Sequence, residues 1–210
     1  MIPLEDNFTD VIGKAQRGLK QSDEDLANRA GVSVAELKEA KAGQVSEAVL
    51  RKLARALNLG GDALVVLARK EWYPKSPGNV PGFAAFNTTY EDYTVNAYLV
   101  WDPKTSQGAA FDTGADSSGM LDRAATLGLK VQLILLTHTH PDHIADLAKL
   151  KKATGAKAFV SKLEGFNDAE TFDAGKQFKV GNLVINTRQT SGHARGGITY
   201  VVEGLQQRLA

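Results

Sequence analysis

The chain has 210 residues, with 25 Lys or Arg against 24 Asp or Glu and no cysteine. That length holds one large domain or two small ones with real cores, and a net charge of +1 supplies no field that would draw it to nucleic acid or a membrane. Without cysteine there is no disulfide, no thiolate zinc site and no cysteine nucleophile, so any metal must be held through nitrogen and oxygen.

The first seventy or so residues read as helical. Phe8, Val11, Ile12, Ala15 and Leu19 recur at helical spacing. Ser22 is a cap for a second helix, with Asp23, Glu24 and Asp25 in its first turn, where the helix dipole favours anions. Leu26 and Ala30 give that helix an apolar face, and Gly31 ends it. Ser33 caps a third helix that runs through Ala42 to a stop at Gly43. Ser46 caps a fourth, with Val49, Leu50, Leu53 and Leu57 facing inward, and Asp62 to Glu71 forms a fifth. Residues 72–82 hold three of the six prolines and are expected to be a linker or an irregular domain entry.

Beyond the linker the pattern changes. Tyr93 to Trp101 is a strand closed by Asp102-Pro103, and Gly108 to Asp112 a short apolar strand before Thr113-Gly114. Ser117 to Leu127 reads as a helix, Val131 to Thr137 as a buried strand and Ile144 to Lys152 as a helix. Ala158 to Ser161, Phe178 to Val180, Leu183 to Arg188 and Ile198 to Glu203 read as further strands. Strands alternating with helices imply a mixed α/β sheet.

All four histidines fall where a metal could use them. Three lie in Thr137-His138-Thr139-His140-Pro141-Asp142-His143, and the fourth is His193 in Ser191-Gly192-His193-Ala194-Arg195-Gly196-Gly197. Neutral imidazole is the commonest protein metal ligand. In extended chain, side chains two apart point to one side, so His138 and His140 can grip a single ion at the end of the buried strand. Pro141 keeps His140 out of helical geometry. Asp142 and His143 then follow the turn and can aim at a neighbouring position. Structural uses compete with these roles. Asp142 would also serve as the N-cap of the helix near His143, and Asp112 as a plain turn residue. Asp116 and Asp173 read as caps or surface charges.

Two resemblances stand on these residues. Leu26-Ala27-Asn28-Arg29-Ala30-Gly31-Val32-Ser33-Val34-Ala35-Glu36-Leu37, within a five-helix pattern over residues 8–70, resembles the helix-turn-helix of lambda-repressor-like domains. This implies DNA as a partner through residues 1–71, with Ser33, Val34 and Lys38 as contacts. The charge pattern is poor for that role: residues 1–70 carry eleven Lys or Arg and ten Asp or Glu, and Asp23 stands where the family usually has a polar residue that touches phosphate. The competing use is a helical module for packing or for a homodimer.

The run Thr137 to His143 resembles the His-x-His-x-Asp-His signature of the metallo-β-lactamase superfamily, most of all its glyoxalase II type. Phe111-Asp112-Thr113-Gly114 is similar to that superfamily's first motif and Ser191 to Gly197 to its third. The resemblance implies an α/β chain. An all-α helix-turn-helix bundle (1–71) and a Pro/Gly-rich linker (72–82) would precede the first half of an αββα sandwich (83–210). It also implies His138, His140 and His193 on one divalent metal and Asp142 and His143 on a second. Asp142 would be the catalytic carboxylate, and Asp112 would orient ligands without touching metal. The cofactor would be one or two ions, zinc first, with iron or manganese as substitutes. Three imidazoles around zinc leave one open position and lower the pKa of a bound water to about 7. The expected function is a metal-dependent hydrolase using activated hydroxide on a small thioester or related acyl substrate. The alternatives are a DNA-binding regulator whose second module senses a metal or ligand, and phosphodiester chemistry, for which no basic stripe speaks.

The superfamily's site needs a bridging Asp and a last His after the third motif. Here no histidine follows His193, and Glu203 is the one carboxylate side chain beyond it. A fragment of a longer enzyme is expected, with a tail (204–210) like the middle of a hairpin and a sheet whose unpartnered face would expose apolar surface; the competing reading is a complete small protein that keeps one metal and does something other than hydrolysis. The start Met1 to Asp6 lacks a signal peptide's basic and apolar regions, and no stretch is long enough to span a bilayer. A cytoplasmic location without a membrane partner is therefore expected.

Overall fold

The computed structural model describes residues 4–75 and 78–205. The chain divides into two compact units after Lys75, inside the predicted linker. Residues 76–77 of that linker and 206–210 of the tail lie outside the described residues.

The first unit is five helices: α1 (Phe8–Gly18), α2 (Asp23–Ala30), α3 (Val34–Lys41), α4 (Glu47–Ala56) and α5 (Gly61–Ala68). Three of them start in capping boxes, where a cap side chain and the third helical residue satisfy each other's backbone N–H groups. The pairs are Asn7 with Asp10, Ser22 with Asp25, and Ser33 with Glu36. Gly31 ends α2 in the left-handed conformation, as its position predicts. Ser46 occupies the cap of α4, but its side chain makes no capping bond. The apolar stripes converge on a core in which Ile12, Leu26, Leu37, Leu50 and Leu53 are fully buried.

The second unit opens with β1 (Phe83–Tyr90), which the sequence reading missed, then β2 (Tyr93–Trp101) and β3 (Gln107–Phe111). After α6 (Ser118–Thr126) and β4 (Lys130–Leu135) come the short α7 (Pro141–Ile144) and α8 (Leu147–Thr154). Then follow β5 (Lys157–Ser161), a 3-10 turn (Lys162–Glu164), and β6 (Glu170–Phe172). The last elements are β7 (Gln177–Val180), β8 (Leu183–Gln189) and β9 (Ile198–Glu203). Strands β1 to β6 form one sheet in sequence order, antiparallel from β1 to β3 and parallel from β3 to β6. Strands β7 to β9 form a second, antiparallel sheet.

The two faces of the larger sheet are covered differently. Ala97, Leu99, Ala110, Ile134 and Val160 bury one face with Met120 and Ala124 of α6 and Leu147 and Leu150 of α8. Val100, Ala109, Phe111, Leu135 and Phe159 bury the other against Phe178, Ile185, Tyr200 and Val202 of the small sheet. This corrects the expectation of a bare apolar face. The chain's own β7–β9 covers it, and the large apolar side chains exposed among the described residues of this unit are only Tyr93 and Leu127.

Two boundaries shift for a physical reason. The strand predicted to reach Thr137 ends at Leu135, because the Thr137 N–H turns to the Asp112 carboxylate instead of a ladder partner. The single helix predicted from Ile144 to Lys152 is two. Asp146, at the cap of α8, turns its carboxylate back to the Ser117 N–H and hydroxyl.

Candidate metal centre

The parallel strands β3 and β4 end side by side, and the chain turns out of both at the same edge. Asp112 leaves β3 in the left-handed region at φ 56°, a conformation that Asp tolerates better than most residues. That twist aims its carboxylate across at the loop that leaves β4. Oδ1 accepts from the Thr137 N–H at 2.7 Å. Oδ2 accepts from the Thr137 hydroxyl at 2.7 Å and from His143 Nδ1 at 2.8 Å. Thr113 adds a second tie: its N–H and its hydroxyl both reach the His143 carbonyl, at 2.9 and 3.1 Å.

These bonds determine two imidazole tautomers. The Thr137 hydroxyl has one proton, and it goes to Asp112. The hydroxyl oxygen can therefore only accept at its 2.9 Å contact with His138 Nδ1, so Nδ1 carries the proton and Nε2 keeps its lone pair. His143 likewise donates through Nδ1 to Asp112, which leaves its Nε2 as the electron-pair donor, 3.4 Å from Asp142 Oδ2. One buried carboxylate thus orients two rings, the arrangement by which proteins raise imidazole basicity toward a metal.

His193 arrives from the loop between β8 and β9. Its Nε2 lies 2.8 Å from His138 Nε2, and the His138 and His140 ring centres are 4.5 Å apart. One ligand atom from each of His138, His140 and His193 falls within 4.8 Å of the others. His138 is buried, while His140 and His193 are exposed, so the group opens toward solvent on one side. Three nitrogen donors converging with one open side fit a divalent metal cation.

The structure brings together all six residues singled out for this site. His138, His140 and His193 form the convergent group. His143 packs its ring 4.0 Å from that of His138, Asp142 sits beside His143, and Asp112 stands behind both rings. Asp142 is not a helix cap: His140 takes the cap position of α7 and Pro141 its first turn. Asp116 does act locally, accepting from the Ser118 N–H and hydroxyl, and Asp173 pairs with Lys162 at the surface. In the helical unit, Ser33 is engaged in its capping box, Val34 packs against the core and Lys38 is exposed.

Several contributing residues carried no sequence signal. Asp146 holds Ser117 and Lys149; burial works against its charge, but the Ser117 and Lys149 bonds win and hold its carboxyl below the usual range. Tyr200 donates its hydroxyl to the Leu136 carbonyl at 2.8 Å, just before the ligand loop, and burial and then the Asp112 charge push its pKa well up. Glu164 contacts both ligand loops. The family model of the metallo-beta-lactamase superfamily matches residues 90–204, more than half of the chain and the whole of this site.

The chain belongs to the metallo-beta-lactamase superfamily. Among curated relatives, the hydroxyacylglutathione hydrolase of Methylobacterium nodulans is 34% identical over 115 residues, covering 53% of this chain and 44% of the relative. The human mitochondrial persulfide dioxygenase ETHE1 is 26% identical over 161 residues, covering 75% of this chain and 57% of the relative. Among solved structures, ETHE1 from Myxococcus xanthus superposes with a TM-score of 0.50 at 26% identity, covering 57% of this chain and 55% of that one. The chain thus spans about half the length of the relatives it matches. No helix among the described residues is long and apolar enough to cross a membrane.

Proposed function

We propose that this superfamily member is a metal-dependent hydrolase of a thioester or related small acyl substrate. The observation that carries the reading is the convergence of His138, His140 and His193 from two separate loops, backed by Asp112. A divalent cation held there would act as a Lewis acid and bring the pKa of water to about 7. His138, His140 and His193 would hold it, with Nε2 of His138 as that ring's donor. Asp112 and Thr137 would keep the His138 proton on Nδ1 throughout. His143 and Asp142 lie on the flank, where they would take a second ion or serve in acid–base work.

Thioester hydrolysis breaks the bond between acyl carbon and sulfur, joins that carbon to the oxygen of water, and delivers a water proton to the leaving sulfur. Asp142 is the carboxylate placed to relay that proton, being buried next to His143 and not engaged in helix capping. The choice of an acyl thioester follows the hydroxyacylglutathione hydrolase relative. The test is turnover of a glutathione thioester by the zinc-loaded chain, with elemental analysis alongside. Expected are bound zinc and hydrolysis that a chelator abolishes. Bound metal with oxygen uptake on a persulfide, and no hydrolysis, would move the reading to the chemistry of the ETHE1 relatives. Absence of any bound metal would overturn both.

A second reading concerns the helical unit. Arg29, Lys52 and Arg55 line a cleft of about 250 Å³, a cationic feature suited to phosphate. It supports DNA as a partner of residues 1–71, in a regulator whose second unit senses a metal or ligand. A gel-shift titration across salt concentrations tests this: salt-sensitive binding that weakens on R29E with R55E supports it, and no binding at low salt removes it.

A further inference from the structure

The metal group draws its donors from two loops, and their separation sets whether three nitrogens meet one ion. At their base the loops are tied by a backbone bond, Ile198 N–H to the Thr137 carbonyl at 2.9 Å. Nearer the histidines, beside the His138–His193 contact, one side chain bonds to both loops. Glu164 Oε2 accepts from the Thr139 N–H at 3.0 Å and from the Thr139 hydroxyl at 2.8 Å. Its Oε1 accepts from the Gly196 N–H at 2.6 Å. Thr139 lies between His138 and His140, and Gly196 lies three residues after His193.

The mount of this carboxylate is itself well defined. Glu164 closes the 3-10 turn after β5, whose cap Ser161 accepts from the Leu163 N–H, and Gly165 ends it at φ 62°. Ser161 is buried, and Glu164 is half-buried. Gly196 is shaped to receive it. A Cβ there would come within 2.7 Å of Glu164 Oε1, 2.9 Å of its Cγ and 3.0 Å of Ser161 Oγ. Only a residue without a side chain lets this N–H approach so closely.

We infer that Glu164 is a positioning residue for the metal group: its two oxygens clamp the His138/His140 loop to the His193 loop and thereby set metal affinity and coordination geometry. The inference rests on the reading that the three imidazoles hold an ion. Both loops present N–H groups to the clamp, so a carboxylate, which only accepts, suits both ends. Glutamine offers an oxygen to one loop and an NH₂ to the other, setting donor against donor.

The experiment is a Co²⁺ titration of the full chain, read by the visible spectrum of the bound ion, which reports the number and arrangement of ligands. E164A and E164Q are expected to weaken Co²⁺ binding about tenfold or more, the usual scale for partners behind metal ligands. Both should alter the band positions and intensities of what still binds, with far-UV circular dichroism unchanged. G196A, which presses on the clamp from the other loop, should weaken binding similarly. Combined with E164A it should add little, because its effect runs through the carboxylate it displaces. T139V keeps both backbone bonds and should cost less than either. Wild-type affinity and an unchanged spectrum in E164A and E164Q would overturn the clamp while leaving the metal reading intact. Should E164A fail to fold, G196A and E164Q decide it by the same criterion. No Co²⁺ binding by the wild-type chain would overturn the metal reading, and the clamp with it.

Discussion

The capping carboxylates of the helical unit and the carboxylates that join loops in the sheet unit work in opposite ways. In the helical unit, Asp10, Asp25 and Glu36 each bond to a residue three positions back, closing a capping box and nothing beyond it. In the sheet unit, Asp112 reaches 25 residues to Thr137 and 31 to His143, Glu164 reaches 32 to Gly196, and Asp102 reaches 80 to Asn182. A local carboxylate stabilises one helix end. A distant one fixes how two chain segments meet, which is what a site assembled from several loops requires. Removing a distant carboxylate should therefore disturb assembly or metal binding, and removing a local cap should disturb only its helix.

The largest expected effect comes from the donors themselves. H138A together with H140A removes two of three converging nitrogens and should abolish stoichiometric metal in the purified chain, as measured by elemental analysis. Retained metal in that double variant would mean the ion sits elsewhere. Next is D112N. It replaces one oxygen that Thr137 or His143 uses with an NH₂, and should lower metal affinity about 10- to 100-fold with little change in helix content. Unchanged affinity would show that the ring orientations do not depend on Asp112.

This contrast also explains what could be read from the sequence. Caps at Ser22 and Ser33, the turn at Gly31 and the apolar stripes of α1 to α4 are local patterns, and they placed the helices within a residue or two. His138, His140, Asp142 and His143 were legible because a strand end and a proline put them in seven residues. His193 and Asp112 needed the family resemblance, since nothing local says which loop meets which. The roles of Glu164, Thr137 and Asp146 were invisible: the bonds to Thr139 and Gly196, to Asp112 and to Ser117 that define them span 25 to 32 residues, and Ser117 and Thr139 look like ordinary polar residues. The strand β1 was missed because its alternation is shallow, with no residue of it fully buried. The expected bare sheet face failed for a tertiary reason. Three strands read one by one gave no sign that they would fold back over β1–β6.

A third prediction concerns Asp102, which joins the two sheets of the second unit. Its Oδ1 accepts from the Lys104 N–H, and its Oδ2 from the Asn182 N–H and side-chain amide and from the Thr105 hydroxyl. The Lys104 and Asn182 backbone bonds, joined by the side-chain bonds from Thr105 and Asn182, lower its pKa to about 2 against the opposing effect of burial. The folded value lies below the ordinary carboxylate value of about 4. Its stabilising contribution is thus complete above about pH 4 and fades as pH falls through about 2. D102N should lower the melting temperature of the sheet unit at neutral pH, and the gap to wild type should narrow between about pH 4 and about pH 2. A gap that does not change with pH would assign the effect to shape rather than charge.

The smallest expected effect is S33A. The Ser33 hydroxyl accepts from the Glu36 N–H, and Glu36 returns bonds to the Ser33 N–H and hydroxyl, all within one turn of α3. Losing the hydroxyl should cost about 1 kcal/mol, the usual scale for a cap. The loss should appear in urea unfolding of the helical unit as a lower midpoint with an unchanged slope. Co²⁺ affinity of the same variant should equal that of wild type, because no bond of this cap leaves its own helix. A measurable drop in metal affinity would break the comparison at its weakest point. It would mean that a cap whose bonds stay within one turn of α3 nonetheless communicates with the metal site.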